Sequence, residues 1–128
     1  MGSQHRYADL RLPADARLLR VARVAAASMA AELPFTLQDI EDLRIAVDEL
    51  AAAAIEGCSI DDELDVRFEL RDGGLVVTGR VAGAGAPPEM HAVAADLLSL
   101  VAGGHEIGEE DGDRVFRFTK LPAPRAVS

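Results

Sequence analysis

An α+β fold is predicted: a two-layer sandwich with one mixed β-sheet of about five strands and three helices on one face. Three observations predict it. The elements read in the order strand, helix, helix, strand, strand, helix, strand, strand. Each strand that alternates keeps one polar face, as a sheet with one wet side does. The 128-residue chain is 49% hydrophobic but only 4% aromatic, so its core must come from Ala, Leu, Val and Ile. Small aliphatic side chains favour closely packed helices. The length suits a single domain, residues 1–128.

The elements follow from local pattern. "HRYADLRLP" alternates weakly and ends at Pro13, which reads as a short first strand. Leu18, Val21, Ala22, Ala25 and Met29 then recur at helical spacing, giving a helix from Ala14 to about Glu32. "TLQD" is a capping box: the Thr36 hydroxyl accepts from the Asp39 N–H, and the Asp39 carboxylate reaches back. The second helix runs on to about Glu56 with Ile40, Leu43, Val47, Leu50 and Ala54 on one stripe, and Gly57 stops it. "ELDVRFELR" puts Val66, Phe68 and Leu70 on one face and Asp65, Arg67, Glu69 and Arg71 on the other. The turn "DGG" and the strand "LVVTGRV" complete a hairpin. "AGAGAPP" is a loop, with Pro88 placed to begin a third helix over Met90 to Val101. "HEIGEE", "DGD" and "RVFRFTK" make the last hairpin, and fraying is expected after Lys120.

Charge and composition exclude several functions. The net charge is -9, with 22 acidic against 13 basic residues, so non-specific nucleic-acid binding and anionic membranes are poor prospects. No segment has the ~18 uncharged residues of a membrane span, and no signal peptide is visible. The lone Cys58 has no intramolecular disulfide partner, which suits a reduced, cytoplasmic protein; it reads as a small residue in the loop after a helix. His5, His91 and His105 lack metal-ligand spacing, so no metal site is expected.

Two stretches carry more. "DIEDLRIAVDELAAAAIEG" is a long helix bearing Glu49, and a later hairpin strand runs into the G-x-G of "VAGAG", Gly83 and Gly85. Together with the order of elements they resemble the GHKL (Bergerat-fold) ATPases, and most closely the small RsbW-type anti-sigma-factor serine kinases, over residues 6 to 120. "LPADARLLRVARVAAASMAAELPF" likewise looks like that family's first helix.

The resemblance implies specific roles. The family's helical Glu is its proposed general base, and Glu49 matches it. The Asn four residues later holds magnesium; here it is Ala53, which offers no oxygen to a metal that demands oxygen ligands. The family's D-x-G-x-G falls on Val81, Ala82, Gly83, Ala84 and Gly85. Both glycines remain, but Val81 replaces the Asp that accepts from adenine, a loss of ~1.5–3 kcal/mol or one to two decades of affinity. The family's long lid shrinks to "APPE". The expectation is a helix of catalytic descent without its chemistry: Glu49 a relict base or an ordinary helix carboxylate, Gly83 and Gly85 a relict loop, and no cofactor.

Arg17, Arg20 and Arg23 step by three along the first helix as a basic ridge. Such ridges are commonly solvated and paired with nearby acids. In the family an arginine of this helix contacts the sigma factor, and that position falls on Arg23. Its reversal to Glu is expected to leave stability nearly unchanged. The reading is an anti-sigma-factor-like module that sequesters a sigma factor. The resemblance implies a homodimer and a STAS-type anti-anti-sigma antagonist. The alternatives are an active serine kinase using ATP with magnesium on that antagonist, and a non-catalytic scaffold or sensor domain.

Overall fold

A computed structural model of the chain describes residues 6–124, so His5 lies outside the described residues. In chain order it comprises β1 (Arg6–Pro13), a 3₁₀ turn (Ala16–Leu18), α1 (Leu19–Ala30), α2 (Leu37–Ile55), β2 (Glu63–Arg71), β3 (Gly74–Val81), α3 (Ala92–Val101), β4 (Glu106–Glu110) and β5 (Asp113–Lys120).

The five strands form one sheet in the order β1-β2-β3-β5-β4. The α+β sandwich is as expected, but the sheet is not mixed: every pairing is antiparallel. The connections explain this. Two helices between β1 and β2 cancel each other's reversal, so β2 returns antiparallel beside β1. The single helix α3 makes β4 run parallel to β3, but β4 lies at the edge. The tight β4–β5 hairpin inserts β5 between the two. Both hairpins turn on Asp-Gly pairs, Asp72-Gly73 and Asp111-Gly112, with positive φ at each residue, as a type I′ turn demands.

Strand alternation sets the layers. Leu64, Val66 and Phe68 of β2, Leu75, Val77 and Val81 of β3, and Phe116 and Phe118 of β5 are buried in one cluster with α1 and α2. The opposite face is a ladder of cross-strand ion pairs, including Arg11 to Asp65 at 2.6 Å and Arg67 to Asp9 at 2.7 Å. α1 packs on β2, α2 on β3 and β5, and α3 leans on α2. No helix of the described residues is long and apolar enough to cross a membrane.

Two helices depart from expectation. The fully buried stripe of α1 is Leu19, Ala22, Ala26 and Ala30; of the expected line through Leu18, Val21, Ala22, Ala25 and Met29 it keeps Ala22, while Ala25 and Met29 pack partly buried against the core. A 3₁₀ turn precedes the helix, capped by Asp15, and it rotates the face. Val21 and Val24 are thereby left exposed, Val24 by 69%. α3 starts at Ala92, two residues after the expected Met90, because the His91 ring accepts from the Val93 N–H and supplies the cap. α3 buries only Leu98, and Leu100 is 83% exposed.

α2 begins as the sequence predicts. The Asp39 N–H donates to the Thr36 hydroxyl at 3.0 Å, and the Asp39 carboxylate accepts from the Thr36 N–H at 2.9 Å. The same buried carboxylate accepts from the Ala123 N–H at 3.1 Å, with Lys120 Nζ 3.8 Å away. The fraying expected after Lys120 thus meets a tether: residues 121–124 leave the sheet, but Ala123 is tied to the start of α2.

The N–H donors of Thr36 and Ala123, aided by Lys120, hold the Asp39 carboxyl below its ordinary value of 3.8 although burial opposes them. A carboxylate with a lowered folded pKa contributes stability above its unfolded pKa, and loses it as pH falls through the folded value. Asp39→Ala should therefore cost about 2 kcal/mol at neutral pH, since it removes a cap and strands two N–H donors. The gap to wild type should narrow below about pH 3.8. Urea titrations of both proteins from pH 7 down to pH 3 check this; a constant gap would mean that Asp39 acts only through packing.

Candidate functional site

Glu49 sits in the second half of α2, half-buried, and makes no side-chain hydrogen bond or ion pair among the described residues. Ala53 lies one turn further along the helix. Val81 ends β3, fully buried, with Leu64 on one side and Arg114 on the other in the sheet register. Gly83 and Gly85 follow with φ of 70° and 69°. Only glycine takes that left-handed backbone without strain, so the two glycines are explained by the path of the chain alone.

This loop is closed on itself. The Gly83 N–H donates to Asp113 Oδ1 at 2.8 Å, Ala84 N–H to the Val81 carbonyl at 3.4 Å, and Gly85 N–H to the Gly112 carbonyl at 3.0 Å. The Gly83 N–H first, then Arg80, hold the Asp113 carboxyl below the usual carboxylate range. N–H groups that would be available to an anionic ligand are already engaged.

The carbonyls are engaged too, by a residue the sequence reading passed over. Arg114 of β5 is only 5% exposed. Its Nη1 donates to the carbonyls of Ala54 at 2.9 Å and Glu56 at 2.8 Å, at the C-terminus of α2. Nη2 donates to the carbonyls of Ala84 at 3.1 Å and Ala86 at 3.2 Å, and Nε to that of Gly85 at 3.2 Å. A guanidinium has five N–H donors, and five main-chain oxygens take them. The cation also faces the negative end of the α2 dipole. Cys58 Sγ lies 3.8 Å from Nη1. Arg114 thus ties the C-terminal end of α2 to the glycine loop that follows Val81. The signal available in sequence was an Arg out of phase with the polar face of "RVFRFTK", on which Arg117 lies.

The basic ridge divides. Arg17 folds back on Asp15 with bonds of 3.1 and 2.8 Å and stays exposed. Arg23 reaches across to α2, where Nη1 lies 2.8 Å from both oxygens of Asp48. Arg20 is exposed and has no ion pair among the described residues. Arg20 and Arg23 join Arg44 around a cleft of about 570 Å³ between α1 and α2, with Val24, Ala27 and Ile40 as its apolar part. Arg44 was not singled out in the sequence; it enters because α1 and α2 pack side by side. Among the described residues no group of three or more His, Cys, Asp or Glu could hold a metal ion.

No family model matches the chain. A serine-protein kinase RsbW of Bacillus velezensis is 32% identical over 65 residues, which are 48% of this chain and 41% of that protein. The match therefore spans less than half of the curated relative. The solved structure of the RsbU and RsbW domains of Rv1364c from Mycobacterium tuberculosis superposes with a TM-score of 0.65 at 18% identity. It covers 91% of this chain and 32% of that one, and it supports the fold. Together the two bear out the resemblance to the RsbW-type proteins.

The position of Arg23 changes the expected effect of reversing it. Both partners are roughly one-third exposed, 34% and 39%, so their attraction is partly screened, worth about 0.5–1 kcal/mol. Arg23→Glu would set two carboxylates against each other between α1 and α2 and lower stability, rather than leave it unchanged. A double-mutant cycle with Arg23→Ala and Asp48→Ala should return a coupling energy of that size. A coupling of zero would free Arg23 for other contacts.

Proposed function

We propose that the chain is an anti-sigma-factor-like regulatory module that binds and sequesters a sigma factor, its nucleotide chemistry degraded. The observation that carries this reading is the self-satisfied glycine loop: its N–H groups and its carbonyls bond to the protein itself. Ala53 supplies no magnesium ligand and Val81 no acceptor for adenine. Only residues 86–91 separate Gly85 from α3, too few to wrap a triphosphate. In this reading Glu49 is a relict carboxylate and the protein needs no cofactor.

The partner surface in this reading is the α1–α2 cleft. Arg20 supplies an uncommitted cation, Val24 an exposed apolar contact, and Arg23 and Arg44 widen the positive rim. Arginine suits a carboxylate-bearing partner because its planar fork makes two bonds at once. Arg17, held by Asp15, stands at the end of the ridge. A STAS-type antagonist and a homodimer complete the proposal by analogy with RsbW-type proteins. The curated relative's own name, a serine-protein kinase, favours one second reading: a kinase that retains Glu49 and phosphorylates such an antagonist with ATP and magnesium.

Two measurements separate these readings. Titration calorimetry at ~100 μM protein should detect no ATP binding, because losing the adenine acceptor alone removes one to two decades of affinity. Ala53→Asn should not restore γ-phosphate transfer, since the metal ligand would return to a loop that remains closed. Micromolar ATP affinity would make the kinase reading the better one. Arg20→Glu should weaken a captured sigma-factor complex by at least about tenfold while the melting temperature stays put, as an exposed helix charge is worth only tenths of a kcal/mol to folding. Unchanged affinity would move the interface off this cleft.

A further inference from the structure

The structure assigns to Arg114 the role of a built-in occupant: its guanidinium fills the gap between the C-terminus of α2 and the glycine loop, and it keeps that loop closed without any bound ligand. This rests on reading the region as a former nucleotide site. The argument is one of valence and position. Five donors meet five carbonyls, one from Ala54 in the last turn of α2, one from its C-cap Glu56, and three from the successive residues Ala84, Gly85 and Ala86. One planar group therefore spans two segments that no other side-chain hydrogen bond described here joins.

Such a bridge is a ligand's work. An external molecule binding between helix and loop would have to offer donors to the same carbonyls, or break bonds from a buried cation to enter. Each bond to a charged group is worth more than a neutral one, and all five would be lost together. The loop N–H groups are held from the other side by Asp113, Gly112 and Val81. The loop is thus fixed on both edges, and its conformation does not answer to nucleotide concentration.

Hydrogen–deuterium exchange on wild type, Arg114→Ala and Arg114→Lys tests the assignment. In Arg114→Ala the amides of Gly83, Ala84, Gly85 and Cys58 should exchange at least about tenfold faster, the equivalent of one lost bond to a charged group. Amides in the middle of β2 and β3 should keep their wild-type rates. Millimolar ethylguanidinium should slow the loop amides again, and sodium chloride at equal ionic strength should not. If Arg114→Ala does not fold, Arg114→Lys decides. A single ammonium lacks the fork that reaches both segments, so the loop should open while the sheet stays protected. Unchanged loop exchange in a folded variant, or acceleration spread evenly over the sheet in Arg114→Lys, would overturn the assignment. ATP binding by the wild type would instead sink the functional reading and leave the exchange result standing.

Discussion

Arg114 is the constraint around which the end of α2 and the glycine loop are arranged. A buried cation without a carboxylate is costly unless every donor is satisfied. Here satisfaction comes from main-chain oxygens at two places that are far apart in sequence, 54–56 and 84–86. Both segments must therefore be in position before the guanidinium can be buried. The end of α2 gains partners for carbonyls that a helix terminus leaves open. The loop gains a fixed path, which its positive-φ glycines permit and Asp113 completes. Val81 lies beside Arg114 in the register, so the apolar core closes directly beneath the polar bridge.

Much of the fold was legible because it is encoded locally. The capping box at Thr36 and Asp39, the two Asp-Gly turns and the alternation of β2 each use neighbours within four residues. The stripe through Leu43, Val47, Leu50 and Ala54 is a plain periodicity. What failed to show was nonlocal. The expected line of α1 shares only Ala22 with the fully buried stripe, and a 3₁₀ turn, not an α-helical one, follows Asp15. The expected start of α3, Met90, falls two residues early, because a histidine ring does the capping. The purely antiparallel sheet depends on where the last hairpin inserts, and no residue of that hairpin says so by itself.

The candidate site was legible in a similar split. Glu49, Ala53, Val81, Gly83 and Gly85 were singled out from helix spacing and a resemblance. Arg114 showed in the sequence only as an arginine out of phase with the polar face of its strand, where arginine is ordinarily solvent-facing. Its meaning appears only when its carbonyl partners are in place. The basic ridge shows the reverse error. Three evenly spaced arginines look equivalent in sequence, yet one is held by Asp15, one by Asp48, and Arg20 is left uncommitted. A fourth, Arg44, joins them from the neighbouring helix.

The five N–H···O bonds of Arg114 all go to backbone oxygens, with Cys58 Sγ at 3.8 Å its one side-chain hydrogen-bonding contact among the described residues. Side chains at 54, 56, 84 and 86 are therefore not read by it, and substitution there leaves its acceptors intact so long as the chain keeps its course. The bridge therefore depends on one side chain, Arg114, and on the course of the backbone at 54–56 and 84–86.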